Sequence, residues 1–379
     1  MDPYLRDVLD VCLRLLHVVA GIAWIGASFY FIRLDLGLRP PREPTQGVGG
    51  EYWGVHGGGF YRSEKYALPP EPMPEPLHWF KWEAYTTWLS GFSLLVVLYY
   101  TDAGTRLIDP SVADLTTWQA VALSAGGLLL AWLAYDGLCR LVRDDRLLGV
   151  AVAALVVASA WAAGELFAPR AAYLQVGAML GTIMAANVFR VIIPAHRELI
   201  RAKEEGRPPD PAPGLEAKRR SVHNNYLTLP VVFAMLAGHF PVTYGSGHAW
   251  LVLVVVAGLL AGVRHFFNLW HRGLRAWWIP AAAAVAAVAL AVALRPDDEA
   301  TGARAATDAQ ATEIVRLRCS GCHSGVAAPK GIHLGSAADA RARADLVATM
   351  VRTRAMPPGN ATGMTDAERS ALLAWLASG

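Results

Sequence analysis

Eight stretches of this chain, 9–32, 84–100, 118–138, 147–167, 171–193, 222–240, 248–269 and 276–294, are apolar over about 20 residues each, the length a helix needs to cross the hydrocarbon of a bilayer. Nothing else constrains the fold as much. Inside a membrane the backbone has no water to bond, so each stretch must close its hydrogen bonds within itself, as a helix does. The composition agrees: 54% of the 379 residues are hydrophobic and 17% are charged, at a mean hydropathy of +0.32, too apolar for an ordinary soluble protein. The first stretch is long and lacks a small-residue cleavage site after a basic start, so it is expected to stay as a span and not to leave as a signal peptide.

The net charge of +3 says little, but the placement of the basic residues says more. The loops after spans 1, 3, 5 and 7 hold Arg33, Arg39, Arg42, Arg62, Lys65, Lys81, Arg140, Arg143, Arg146, the run from Arg197 to Arg220, Arg272 and Arg275, whereas the other side has Arg6, Arg106 and Arg170. Positive loops stay in the cytoplasm, so both termini are expected in the periplasm of a bacterial inner membrane.

Beyond the last span, Cys319-Ser320-Gly321-Cys322-His323 has the spacing at which two thiols attach a haem c covalently and the histidine ligates its iron. A zinc site would need two more ligands close by, and the other cysteines, Cys12 and Cys139, lie far upstream. Met356, followed by Pro357 and Pro358, is expected as the second axial ligand, on a loop that prolines keep out of helix. Met350 and Met364 compete for that place. Attachment of haem c outside the cytoplasm agrees with the loop charges. The expected fold is therefore all-α, an eight-helix transmembrane bundle (1–295), a tether (296–306) and a small periplasmic class I-like cytochrome c domain (307–379). The last helix of that domain should begin at the capping box Thr365-Asp366-Ala367-Glu368. So small a domain has a marginal core, which a bound haem would complete.

The long first loop mixes glycines and aromatics from 47 to 61 and reads as a folded hairpin on the membrane face. The charged segment from Arg201 to Arg220 reads as a solvated connector. Ionisable residues inside a bilayer are costly and each demands a reason. One group lies near the cytoplasmic ends: His78, Lys81, Glu83, Asn187, Arg190, His223, Asn224, Asn225, Arg264, His265 and Asn268. Toward the other side lie Arg14, His17, Glu165, His239 and His248, with His17 the deepest. A single such residue is often only hydrogen-bonded to a neighbouring helix, but so many at one depth exceed what helix association needs.

The segments 16–26, Gly49-Gly50-Glu51, 56–61, 78–85 and His223-Asn224-Asn225-Tyr226 resemble the PuuD-type bacterial membrane urate oxidases (urate hydroxylases), which join a membrane domain to a C-terminal cytochrome c. The resemblance implies oxidation of urate to 5-hydroxyisourate, with electrons leaving through the haem to a soluble or membrane cytochrome or a terminal oxidase. The lipid bilayer is the other partner, and no nucleic acid is expected. Urate is a planar anion, so its site needs a cation, amide groups and aromatic faces. His78, Lys81, Glu83, Arg190, His223, Asn224 and His265 are the expected catalytic set. A haem b on His17, with His239 or a span 7 residue opposite, would carry electrons across the membrane, whereas substrate bound on the periplasmic side would need no such relay. Two other readings stay open, a quinol-oxidising or electron-transfer subunit with haem b and a haem-tethered sensor or transporter. Purine-dependent reduction of the haem separates them.

Overall fold

All eight apolar stretches fold as helix in the computed structural model, which describes residues 2–43, 45–295, 305–325, 328 and 331–378. They are α1 (Pro3–Gly37), α2 (Trp82–Leu95), α3 (Thr117–Leu141), α4 (Asp145–Leu166), α5 (Pro169–Asn187), α7 (Ala212–Leu236), α8 (Ala249–His271) and α9 (Trp278–Ala293); α6 (Ile193–Glu204) prolongs α5. Five helical segments are both long and apolar enough to cross a membrane: Tyr4–Gly37, Thr117–Leu141, Asp145–Leu166, Pro169–Glu204 and Ala249–His271. Trp278–Ala293 is apolar but shorter. Two π-turns interrupt the pattern, Val96–Tyr100 at the end of α2 and Val188–Ile192 between α5 and α6.

The bundle is built round α5, whose Tyr173, Leu180 and Ile183 are about 1% exposed. Lipid tails are as apolar as leucine, so close packing and polar contacts must hold such helices together. Gly177 supplies one such approach: a Cβ there would lie 3.0 Å from Ala234 Cβ on α7. Gln175 supplies a polar one, bonding Ser124 Oγ and Ser124 O of α3 at 2.7 Å each. α1 and α2 run antiparallel, and α2 packs on α5. Arg6 meets Asp102 at 3.6 Å, His17 lies on Gly91, and Trp88 Nε1 donates to Thr182 Oγ1 at 3.1 Å.

The expected hairpin is present, so the fold is helical with one two-stranded addition. Strands β1 (Val48–His56) and β2 (Gly59–Tyr66) pair antiparallel across Gly57 and Gly58. Both turn glycines have positive φ, 57° and 82°, as a two-residue turn matching the strand twist requires. Lys65 Nζ holds Asp35 at 2.5 Å and Arg33 Nε donates to Tyr52 Oη at 2.8 Å, fixing the hairpin to the end of α1. The connector expected from Arg201 to Arg220 is mostly solvated as read, but it is largely helix, the end of α6 and the start of α7, and its last residue, Arg220, is drawn into the bundle at 2% exposure.

The C-terminal residues form a second core around Ala311, Val315, Leu372 and Trp375. Helices α10 (Asp308–Arg318), α11 (Ala344–Arg352) and α12 (Asp366–Ala377) enclose it. The box at Thr365 and Glu368 caps α12 as read. A short helical turn, Ala337–Arg341, precedes α11 and is separated from it by Ala342 and Arg343. Most of the expected tether, 296–304, lies outside the described residues, while Ala306 is already pinned, its amide donating to Ala371 O at 3.1 Å.

Candidate functional site

The expected catalytic residues do not converge on one pocket. His223 and Asn224 sit in a closed network between α3, α5 and α7. Tyr135 Oη meets His223 Nδ1 at 2.8 Å, and Asn187 Nδ2 donates to Tyr135 Oη at 3.0 Å and to Asn224 Oδ1 at 2.8 Å. Arg220 ties this to Asn187 Oδ1 (3.2 Å), Asp136 (2.9 Å) and Glu216 (2.7 Å). Nearly every polar atom is paired, so this part of the expected site reads as structural. Asp136 was its missed member, although a carboxylate inside an apolar run was visible. Arg190 is exposed, as are His78, which lies against Phe80, and His265, which meets Tyr226 Oη at 2.7 Å. Lys81 Nζ lies 5.9 and 5.3 Å from the ring centres of Trp79 and Trp82. Glu83 stands in the first turn of α2, with one carboxylate oxygen buried and unbonded.

An open space lies elsewhere, between α1, α2, α5 and α7, as a cavity of about 610 Å³. From Arg14 to Ser28 it follows α1 for about 21 Å. Its walls are apolar and aromatic, including Trp24, Trp88, Phe92 and Tyr99. Its polar groups gather at the end away from the hairpin: Arg14, Arg106, Arg170 and His239. Arg14 is bonded to Asp10 at 2.6 Å and Arg106 to Asp102 at 3.2 Å. Arg170 makes no ion pair among the described residues and rests on Gly238, where a Cβ would lie 3.1 Å from its Nε.

His17 lines the cavity three residues on from Arg14, about 16 Å inward of Asp102 by the eleven residues from Gly91 to Asp102. Its Nδ1 lies 2.9 Å from Thr87 O and 3.2 Å from Ser90 Oγ. A carbonyl only accepts, so Nδ1 carries the proton and the lone pair of Nε2 is free. The ring is seated on Gly91, where a Cβ would come within 2.7 Å of it. His239, the expected partner, is offset. Gly181 faces Val231 and Gly177 faces Ala234, which puts His17 level with that part of α7 and His239 roughly 8–12 Å further along the bundle.

In the C-terminal domain, His323 Nδ1 lies 2.9 Å from Ile332 O, which orients the ring and leaves Nε2 free for a metal. Cys319 and Cys322 are unpaired thiols. Met364 is packed in the core at 3% exposure, while Met356 is 37% exposed. Arg369 holds the loop of Met356 from beneath, donating to Met356 O at 2.8 Å and Asn360 Oδ1 at 3.2 Å. This donor set fits a covalent haem. The same loop sits on the bundle. Gly359, at φ +54°, packs so closely that a Cβ would lie 2.6 Å from Ile108 O and 2.7 Å from Thr105 O, and Gly245 lies against Thr353 O. The loop therefore meets the end of the bundle at which the arginines of the cavity gather.

The family model for the urate oxidase N-terminal region matches residues 3–295. No curated protein and no solved structure matches the chain.

Proposed function

The chain belongs to the urate oxidase N-terminal family, and from that premise we propose that residues 1–295, as eight membrane spans, oxidise urate to 5-hydroxyisourate while residues 307–379 carry a covalent haem c that takes the electrons. The cavity carries this reading. It is walled mainly by apolar and aromatic side chains, holds a histidine with a free lone pair, and is cationic at the end where the Met356 loop rests. Urate enters as an anion and Arg170, the arginine without a carboxylate, compensates its charge; Trp24, Trp88, Phe92 and Tyr99 offer faces for the purine ring.

The balance of the step is urate plus water giving 5-hydroxyisourate, two electrons and two protons. His17 Nε2 accepts a proton as electron density leaves the ring and the water oxygen bonds to carbon. Thr87 O, bound to Nδ1–H, stabilises the imidazolium that results. Cys319 and Cys322 would hold the haem covalently and His323 and Met356 would ligate its iron; held there, it would supply one-electron acceptance, with a cytochrome or terminal oxidase as the onward acceptor. With the C-terminal domain in the periplasm of a bacterial inner membrane, oxidation in the outer half of the cavity needs no haem b, and the offset of His239 from His17 agrees with that.

Anaerobic mixing of the full chain with urate tests the reading. The haem should be reduced by urate in the wild type, and much more slowly in His17→Gln and Arg170→Gln, with dithionite reduction unchanged in all three. Full urate-dependent reduction in both variants would remove the proposed site. Reduction by quinol and not by urate would replace the function.

A further inference from the structure

Two arginines of the bundle are almost fully buried, and they are treated differently. Arg220, 2% exposed, has two carboxylates and an amide around it. Arg264 on α8, 4% exposed, has no carboxylate within 4 Å among the described residues. Its Nε bonds Asn225 Oδ1 and its guanidinium carbon lies 4.0 Å from the ring centre of Phe29, but Nη2 has no partner. Asn225 Nδ2 and Asn268 Oδ1 are also buried and unbonded. Two donors, one acceptor and one uncompensated positive charge are thus left together in a low-dielectric interior. Water could fill the hydrogen bonds but not the charge, and an unpaired charge there is costly.

We propose that Arg264, Asn225 and Asn268 form a second anion-binding site, for a small planar anion with adjacent acceptor and N–H groups, as an ionised purine has. Asn225 lies three residues from Thr228, which lines the hairpin end of the cavity, and Phe29 follows Ser28, which lines it too. The site therefore adjoins the cavity at the end opposite His239. It holds the purine on its way from the hairpin side and stands too far from the Met356 loop to be the place of oxidation. The identity of the anion rests on the urate reading; the need for an anion does not.

The test uses the full chain with its haem. Arg264→Gln should raise the urate concentration giving half-maximal haem reduction tenfold or more and leave the saturated rate within twofold, while Arg264→Lys recovers part of the loss. With the haem kept reduced by dithionite, urate should raise the melting temperature of the wild type more than that of Arg264→Gln. An unchanged half-saturation and an unchanged thermal shift would overturn the site, as would a saturated rate that falls in step with affinity. If Arg264→Gln does not accumulate, Asn268→Leu removes the acceptor alone and is judged by the same outcomes. Absence of urate-dependent reduction in the wild type would defeat the proposed function and still leave the thermal shift to judge this site.

Discussion

Gly359→Ala should slow the passage of electrons without touching either the haem or the cavity. The added Cβ would stand 2.6 Å from Ile108 O and 2.7 Å from Thr105 O, whereas contact between such atoms is comfortable near 3.5 Å. The loop must therefore lift from the bundle by about 1 Å. Alanine at φ +54° adds roughly 1–2 kcal/mol of backbone strain, present whether or not the loop is seated. A separate loss of about 1–2 kcal/mol from the seat itself would lower the seated population roughly five- to thirty-fold. Stopped-flow mixing with urate in the absence of oxygen should show haem reduction slowed by that factor, with dithionite reduction at the wild-type rate. Gly363→Ala is the matched control. Gly363 also has positive φ, 63°, but the nearest atom to its would-be Cβ is Arg318 Nη1 at 3.9 Å, within the same domain. If Gly359→Ala reacts at the normal rate, or Gly363→Ala is slowed equally, the contact does not govern transfer and the reasoning fails.

Met356→Ala should abolish the methionine-to-iron charge-transfer band of the oxidised protein, while Met364→Ala, which empties part of a core, should lower stability by about 2–5 kcal/mol and keep the band; the reverse pattern reassigns the ligand. Reporter fusions at Arg207 and after Gly379 should give cytoplasmic and periplasmic signals respectively, and equal alkaline phosphatase activity at both would sink the topology. Burial pushes the Glu368 carboxyl up, but the Thr365 amide and hydroxyl and Arg318 push it further down, so its pKa is lowered on folding. Its contribution is then complete above the unfolded value, about 4.3, and lost as pH falls through the folded one; the C-terminal domain should therefore be less stable in Glu368→Gln than in the wild type at neutral pH, with the wild type losing stability more steeply below about 4.3 until the two converge, and parallel stability-against-pH curves would refute it. A pyridine haemochrome spectrum should show c-type haem alone, and b-type haem that disappears in His17→Ala would turn the cavity into a haem pocket.

The helices were legible because a bilayer leaves an apolar run of 20 residues no other form, and the hairpin because Gly57-Gly58 between aromatic stretches has few other uses. The site was less legible. His17 stood out as a deep histidine, but the groups that fix its tautomer are a backbone carbonyl and Ser90, neither marked in a sequence. Depth alone grouped Arg190, His223 and His265, and depth says nothing of the direction a residue takes round its helix. Arg190 and His265 consequently face outward while Arg264, next to His265, faces in. A carboxylate partner separates a structural arginine from an unpaired one: Glu216 lies one helical turn from Arg220 on α7 itself, but Asp136 shows its pairing only once α3 and α7 are side by side.

The π-turn at Val96–Tyr100 bears on how this chain should be compared with its relatives. A π-turn carries about one residue more than the α-helical path it replaces, and each residue in a helix turns the chain by about 100°. Tyr99, on the cavity wall, and Tyr100, which meets Ser124 at 2.8 Å, both lie within this turn. A relative whose helix ran straight through would be one residue shorter there and would present a different side chain to the cavity. In this family, a change of substrate should be sought in a gap of one residue before α3 as much as in any substitution along the wall.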